Sequence, residues 1–410
     1  MQAYKCRICS SERHSVILDY GPVALAGGLL ASLEGAKTEQ KYQLTLVFCE
    51  DCRHVQIKEI VDPSLLFVNY AWETGVSTTV HKYCEEFAAH VTEKCQTPKD
   101  GFVIEMASND GTLLGEFQKL GRRVLGIDPA KRIAEKATAK GIPTWGTFFN
   151  LESAKKALAE HGQANLMVGR NVLAHVADLH GLVGGVKLLL APGGTAILEF
   201  PALIPMFDEL QYDKVYHEHI GYHGIDSVRR LAEIHDLKLI DGEMSSLHGG
   251  SVRAYLAHKD DPRGLGEGGK AMLAEEEKKG VLETKAWAAF GDRVREQKRL
   301  MRKELEEARA RGEIVVGYGA SGKGQALIQF CELGPEHINY IVDKAPIKHG
   351  KFTPGSHIPI HDPSKMKETG ANILVLFSWN LTKEIVAQEQ EMAKRGMKFL
   401  HPIPVPHYVG

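Results

Sequence analysis

Phe102-Val103-Ile104-Glu105-Met106-Ala107-Ser108-Asn109-Asp110-Gly111-Thr112-Leu113-Leu114-Gly115-Glu116-Phe117 decides the fold of this chain. Phe102 to Glu105 reads as a buried strand, a short polar loop with a single glycine follows, and the apolar spacing then becomes helical. A second strand, Arg123-Val124-Leu125-Gly126-Ile127-Asp128, ends in a carboxylate and precedes a helical run from Ala130 to Ala139. The alternation continues through Asn165 to Val168, a helix from Leu182 to Leu190, and Thr195 to Phe200. Such a succession predicts a parallel, doubly wound α/β sheet. Upstream, Val80, Tyr83, Phe87 and Val91 are spaced as one helix face over 76–93. Downstream, Leu237 to Ile240 and Ser251 to Leu256 have no helix between them, which predicts an antiparallel hairpin closing one edge of the sheet.

Further out, Gly264-Leu265-Gly266-Glu267-Gly268-Gly269 reads as a linker. A charge-rich helix to about Arg311 follows, with Trp287, Phe290, Val294, Met301 and Leu305 near one face and a solvated charged face opposite. A second alternating unit then starts at Ile314 to Ala320 and continues through Ile338 to Asp343, Asn372 to Phe377 and Lys398 to Leu400. At the other end lie two Cys-x-x-Cys pairs, Cys6/Cys9 and Cys49/Cys52. A two-residue spacer lets two thiolates bend toward one ion, and two such knuckles complete a tetrahedral Zn²⁺ site. Disulfides or a redox pair are the competing reading. With all four positions filled by protein, the ion is structural.

The 410 residues, 43 % hydrophobic and 25 % charged, suit two or three domains, and no apolar run approaches the roughly 20 residues of a membrane helix. A formal net charge of −2 offers no broad cationic field, so nucleic acid is not an expected partner. Met1-Gln2-Ala3-Tyr4-Lys5-Cys6 has no apolar signal core, and the expected compartment is the cytoplasm.

Open α/β sheets bind ligands at the carboxyl ends of their strands, where Glu105 to Gly111 lies. GxGxxG is absent there, which argues against a dinucleotide. Glu105 and Asp110 suit an ammonium group, and Asp128 suits a ribose diol. Phe148 or Phe149 can stack on a base, the other being core. Together these fit S-adenosylmethionine. Tyr216-His217-Glu218-His219, flanked by Val215 and Ile220, places four consecutive proton-carrying side chains in a partly buried run. Its plainer reading is a polar loop with a metal-binding or structural histidine pair.

Glu105-x-x-Ser108-Asn109-Asp110-Gly111-Thr112, Glu199-Phe200-Pro201, Tyr216-His217-Glu218-His219 and His248-Gly249-Gly250-Ser251-x-Arg253, in that order, resemble the sugar C-methyltransferases of deoxysugar biosynthesis. The resemblance extends to the cysteine knuckles and to the C-terminal glycine loop. It implies a zinc-binding module over 1–75, a Rossmann-like class I methyltransferase domain over 76–260, and a second doubly wound α/β domain over 261–410 that helps hold a sugar nucleotide. It implies methyl transfer from S-adenosylmethionine to a carbon beside the 4-keto group of a nucleotide-diphospho-deoxysugar, a thymidine nucleotide being the expected carrier. A base and an oxyanion stabiliser are needed for that chemistry, while a metal is not. By resemblance His219 is the base, Tyr216 a second acid/base or hydrogen-bond donor, and Glu218 the group that orients the histidine. His175 and Tyr70 match further active-site positions, although Trp72 stands where another aromatic is common. Ser108, Asn109, Gly111 and Asn171 join Glu105, Asp110, Asp128 and Phe148 around the methyl donor, and His248 is a candidate substrate contact.

In the second unit Gly317-Tyr318-Gly319-Ala320-Ser321-Gly322-Lys323-Gly324 follows a strand and opens a helix, which suits a phosphate held by backbone amides and Lys323; a tight turn is the plainer reading. Asp343, Lys348 and Trp379, in or near later loops, are placed beside the diphosphate or base. A zinc-ribbon RNA methyltransferase, a nicotinamide oxidoreductase and a sugar O- or N-methyltransferase are the alternative readings. A monomer or weak oligomer is expected.

Overall fold

The computed structural model describes residues 4–67, 74–76, 78–245 and 250–410, so Tyr70, Trp72 and His248 lie outside the described residues. Three sheets organise the described residues. In the first, β1 (His14–Ala24), β2 (Lys41–Cys49) and β3 (Val55–Ile57) pair antiparallel. The whole of β3 is buried, so its polar residue needs a partner, and Gln56 Nε2 donates to the Tyr4 hydroxyl at 2.6 Å.

The second sheet contains β4 (Phe102–Met106), β5 (Arg123–Ile127), β6 (Thr144–Trp145), β7 (Ala164–Arg170) and β8 (Leu190–Pro201). β9 (Gly221–Tyr222) follows in the chain but leaves this sheet and pairs antiparallel with β3 of the first. β10 (Leu237–Ser245) and β11 (Ser251–His258) complete the order β10-β11-β8-β7-β4-β5-β6. Helices cover both faces, which is why β4 is buried at every position and apolar apart from Glu105. β11 runs antiparallel to both neighbours, so the expected hairpin is present, its second strand wedged between β10 and β8.

The third sheet has the order β14-β13-β12-β15-β16-β17, formed by β12 (Val315–Tyr318), β13 (Tyr340–Val342), β14 (Ile360–His361), β15 (Ile373–Leu376), β16 (Lys398–His401) and β17 (His407–Val409). All its pairs are parallel except the last. The helix Thr284–Ala310 buries Trp287, Phe290, Val294, Met301 and Leu305 along one face. These pack in one continuous core with Ile17, Leu44 and Phe48 of the first sheet and Val315 and Ile341 of the third. At about 1.5–3 kcal/mol for each large apolar side chain, this core fuses the cysteine-bearing unit to the C-terminal unit.

The glycine run from Gly264 is not a slack linker. The helix Glu267–Lys278 starts inside it, and Gly266 N and Gly269 N donate to Ile240 O at 2.8 Å and Asp241 Oδ1 at 3.1 Å. A Cβ at Gly266 would lie 2.8 Å from Asp241 Oδ1, and one at Gly268 would strike the Gly242 carbonyl. The missing side chains let a helix lie directly on β10; they do not supply flexibility. Among the described residues no helix is long and apolar enough to cross a membrane.

Candidate active site

A cavity of about 420 Å³ opens at the carboxyl edge of the second sheet, and Asp128, Phe148, Asn171, His175, His219 and Lys323 are among its lining residues. The loop after β4 shapes one wall, with Ala107 and Asn109 at φ 54° and 51°. Non-glycine residues in this left-handed region are held there only by their surroundings. Asn109 N donates to Asp128 Oδ2 and Ala130 N to Asp128 Oδ1, both at 2.8 Å. Each carboxylate oxygen keeps a second lone pair, and burial raises the Asp128 pKa above its ordinary value. Phe148 is 56 % exposed while Phe149 packs into the core, so the two aromatics divide their roles. A carboxylate for a diol, an exposed ring and a cavity of this size fit S-adenosylmethionine.

Other sequence-selected residues stand behind this wall. Glu105 is buried against Arg170, 3.3 Å away on the neighbouring strand, and burial pushes its carboxyl up to about 7 against the pull of that guanidinium. Asp110 accepts from Thr112 Oγ1 at 2.7 Å and from Gly75 N at 3.1 Å, and Asn109 Oδ1 accepts from Thr74 N at 2.8 Å. Ser108 is buried, and Gly111, at φ 75°, begins the helix Thr112–Lys119. Glu199 and Arg253, from two of the ordered motifs, form an ion pair at 2.7 Å within the sheet, and Tyr83 bonds to both.

The run from Tyr216 to His219 splits by direction. His219 Nδ1 lies 3.0 Å from the Lys214 carbonyl, which only accepts, so Nδ1 carries the proton and Nε2 the lone pair. Tyr216 donates to that lone pair across 3.1 Å. His175 packs edge-on to His219, with 4.9 Å between ring centroids, and its Nδ1 is 2.7 Å from the Glu218 carbonyl. Burial, followed by the neighbouring His175, holds the His219 pKa well below the ordinary histidine value, and burial lowers His175 as well. Both rings are therefore neutral near pH 7. Glu218 meets His175 through its main-chain carbonyl, and its carboxylate turns toward Gly27 rather than orienting His219. His217 faces the first sheet, 3.2 Å from Gln43 O.

Three units meet on this run. Arg7 donates to the carbonyls of Ile57 and Ile220, and Ile57 N donates to Ile220 O at 3.1 Å. On the other side Gly322 of the C-terminal loop backs onto the Tyr216 ring, and Trp379 Nε1 donates to Asp213 Oδ2 at 2.7 Å. Lys323 sits 5.6 Å from the Trp379 ring centroid and lines the cavity. Gly319, at φ 98°, makes the tight turn beside Ser378, and Ser321 caps the helix Gly322–Phe330 by accepting from Gly324 N at 3.2 Å. Asp343 accepts from Ala320 N at 2.8 Å and pairs with Lys348 at 2.9 Å, outside the cavity lining.

Cys6, Cys9, Cys49 and Cys52 bring their four Sγ atoms within 4.8 Å of one another, with 3.4 Å between Cys6 and Cys52 and 3.5 Å between Cys9 and Cys49. A tetrahedron with Zn–S bonds of about 2.3 Å has edges near these lengths. Hydrogen bonds from Cys49 and then Cys52 draw the Cys6 thiol far down, and those with Cys49 and then Cys6 push Cys52 far up. Four thiolates here require a cation, and Zn²⁺ fits.

Family models match nearly the whole chain: a putative zinc binding domain over residues 6–67, a methyltransferase domain over 80–241 and a C-methyltransferase C-terminal domain over 246–404. The C-methyltransferase NovU of Streptomyces niveus is 31 % identical over 408 residues, covering 99 % of this chain and 96 % of that protein. The chain belongs to the C-methyltransferase family. It is an S-adenosylmethionine-dependent enzyme with a zinc-binding module, as the ordered motifs imply. Solved structures align with part of this C-methyltransferase at low identity. An S-adenosylmethionine-dependent methyltransferase from Clostridium acetobutylicum matches at 11 % identity, 43 % of this chain and 92 % of that one, with a TM-score of 0.35. Magnesium protoporphyrin IX methyltransferase from Synechocystis matches at 14 %, 46 % and 90 %, with a TM-score of 0.34. Two cationic residues of the cavity, Arg170 and Lys214, carry no motif in the sequence. Each had a faint signal: a cation ending an apolar strand, and a lysine two residues before the Tyr216 run.

Proposed function

We propose that the enzyme methylates the carbon beside the ketone of a nucleotide-diphospho-4-keto-deoxysugar through an enolate. The observation that carries this reading is a buried, neutral His219, its Nε2 lone pair held by Tyr216, in one cavity with Asp128. A carbon next to a ketone becomes nucleophilic only when its proton leaves, and a neutral imidazole is competent to take it. S-adenosylmethionine supplies an electrophilic methyl when bound. Asp128 accepts the ribose hydroxyls, with Phe148 against the base. His219 Nε2 removes the proton as the Tyr216 hydroxyl turns from that lone pair toward the substrate, and His175 closes the pocket on the other side. Lys323 and the helix start behind it meet the diphosphate, preferably of a thymidine nucleotide, while Asp343 and Lys348 fix that loop and Trp379 shields Lys323. Glu218 holds His175 through its carbonyl. Zinc keeps the first sheet, and so β9 and the run ahead of it, in place.

Incubation in heavy water with a panel of thymidine diphosphate-linked 4-keto sugars tests this. Deuterium enters beside the ketone without the methyl donor, and with it a methyl group appears on carbon. Neither event on any sugar of the panel would sink the reading. His219→Ala is expected to lower both rates by about 10²–10⁴-fold, and full activity in that variant would point to methylation of oxygen or nitrogen.

A further inference from the structure

Lys214 ends a short turn, Tyr212–Lys214, in which all three residues are buried. It is 4 % exposed, and its Nζ has no hydrogen-bond partner among the described residues. It nevertheless lines the cavity that holds Asp128 and His219. Taking an ammonium out of water costs several kcal/mol unless an anion meets it. The charged groups around it do not complete that role. Asp213 and Glu209 attract it from a distance, Lys323 repels it, and His219 is neutral. Asp213 gives Oδ2 to Trp379, and its buried Oδ1 makes no bond to Lys214 Nζ among the described residues. The missing partner is therefore a group that a ligand brings.

Position selects which group. The Lys214 carbonyl accepts from His219 Nδ1 at 3.0 Å and from the Tyr222 hydroxyl at 3.2 Å, so one residue fixes the base and carries the cation. Lys323, on the C-terminal loop, already serves the diphosphate side in the proposed reading. On that reading, we infer that Lys214 is the oxyanion-stabilising residue of the reaction, its ammonium donating to the ketone oxygen as the enolate forms. His219 Nε2 takes the proton from the neighbouring carbon. The C–H electron pair becomes the carbon–carbon double bond, and the carbonyl π pair moves onto oxygen beside Nζ. Burial first, then repulsion from Lys323, brings the Lys214 pKa down to about 8, which makes the ammonium a stronger donor to the forming enolate than an ordinary lysine.

Exchange into thymidine diphospho-4-keto-6-deoxyglucose in heavy water, without the methyl donor, separates the possibilities. In Lys214→Met the exchange rate is expected to fall by about 10²–10³-fold, as for loss of one oxyanion donor, while Kd for thymidine diphosphate moves less than about threefold. Lys214→Arg should restore part of the rate. Because Met removes an unpaired buried charge, its Tm should equal or exceed that of the wild type. The wild-type rate should fall above pH about 8 as the ammonium is lost, and an arginine at this position should carry the plateau higher. Wild-type exchange with an equal rate in Lys214→Met overturns the inference alone. So does a loss of thymidine diphosphate affinity in proportion to the rate, which would make Lys214 a phosphate ligand. A wild type that never exchanges overturns the proposed function and this inference together. Should the Met variant fail to fold, the pH profiles of wild type and Lys214→Arg decide, a flat wild-type profile to pH 9.5 being the negative result.

Discussion

Asp128 and Asp343 occupy the same place in two sheets, and what surrounds them sets them apart. Each follows the second strand of a parallel unit. Each accepts a main-chain N–H from the loop after the first strand, Asn109 in one and Ala320 in the other, and one from two residues further along, Ala130 and Ala345. Asp343 is also paired with Lys348, and Lys348 donates on to the Ala320 carbonyl. Asp128 has no such cation among the described residues and lines the cavity. Equivalent positions in a doubly wound fold thus serve opposite ends: one carboxylate is completed from within and braces its loop, the other keeps lone pairs for a ligand. Fold position nominates a residue, and only its remaining valence says whether it binds.

The contrast predicts unequal variants. Asp128→Ala should weaken S-adenosylmethionine binding by about 10²–10³-fold, roughly 3–4 kcal/mol, measured by titration calorimetry, because two hydroxyl bonds are lost and two amides are bared. An unchanged Kd would break the comparison. Asp343→Asn should leave that Kd within about twofold and lower unfolding stability by about 1–3 kcal/mol in urea titration, since the partly exposed Lys348 loses its counter-charge. A weakened donor affinity there would show that both carboxylates reach the ligand. The smallest effect is in pH. The ionised form of Asp128 is the acceptor, and burial raises its pKa. Donor affinity should therefore be complete at neutral pH and decline as pH falls, starting above the range of an exposed aspartate. Asp128→Asn should be flat over that interval.

Both doubly wound units were legible because strand–helix alternation is a local signal, carried by apolar runs such as Phe102 to Glu105 and Asn372 to Phe377. The cysteine knuckles were legible for a similar reason: spacing alone implies a ligand geometry. Direction was not legible. Nothing in the string Glu105 to Gly111 says that Asp110 turns to Gly75, or that Arg170 meets Glu105, because those partners come from other elements. Gly266, Gly268 and Gly269 misled for a related reason, since composition records a missing side chain without saying whether room or freedom is wanted. Lys214 went unread because a single lysine has no pattern, and its meaning lies in being buried. β9 was invisible outright: two residues show no period, and their partner is more than 160 positions away.

That small strand limits how the molecule can be divided. A chimera that keeps the second sheet and exchanges the first would also exchange the bonds at Val55 and Gln56 on which Gly221 and Tyr222 rest, two residues beyond the base. Grafts between relatives should carry residues 212–223 with the N-terminal donor and the second sheet with the other. A fragment starting after residue 75 would retain the Asp128 carboxylate while leaving Gly221 and Tyr222, just past His219, without the strand they pair with.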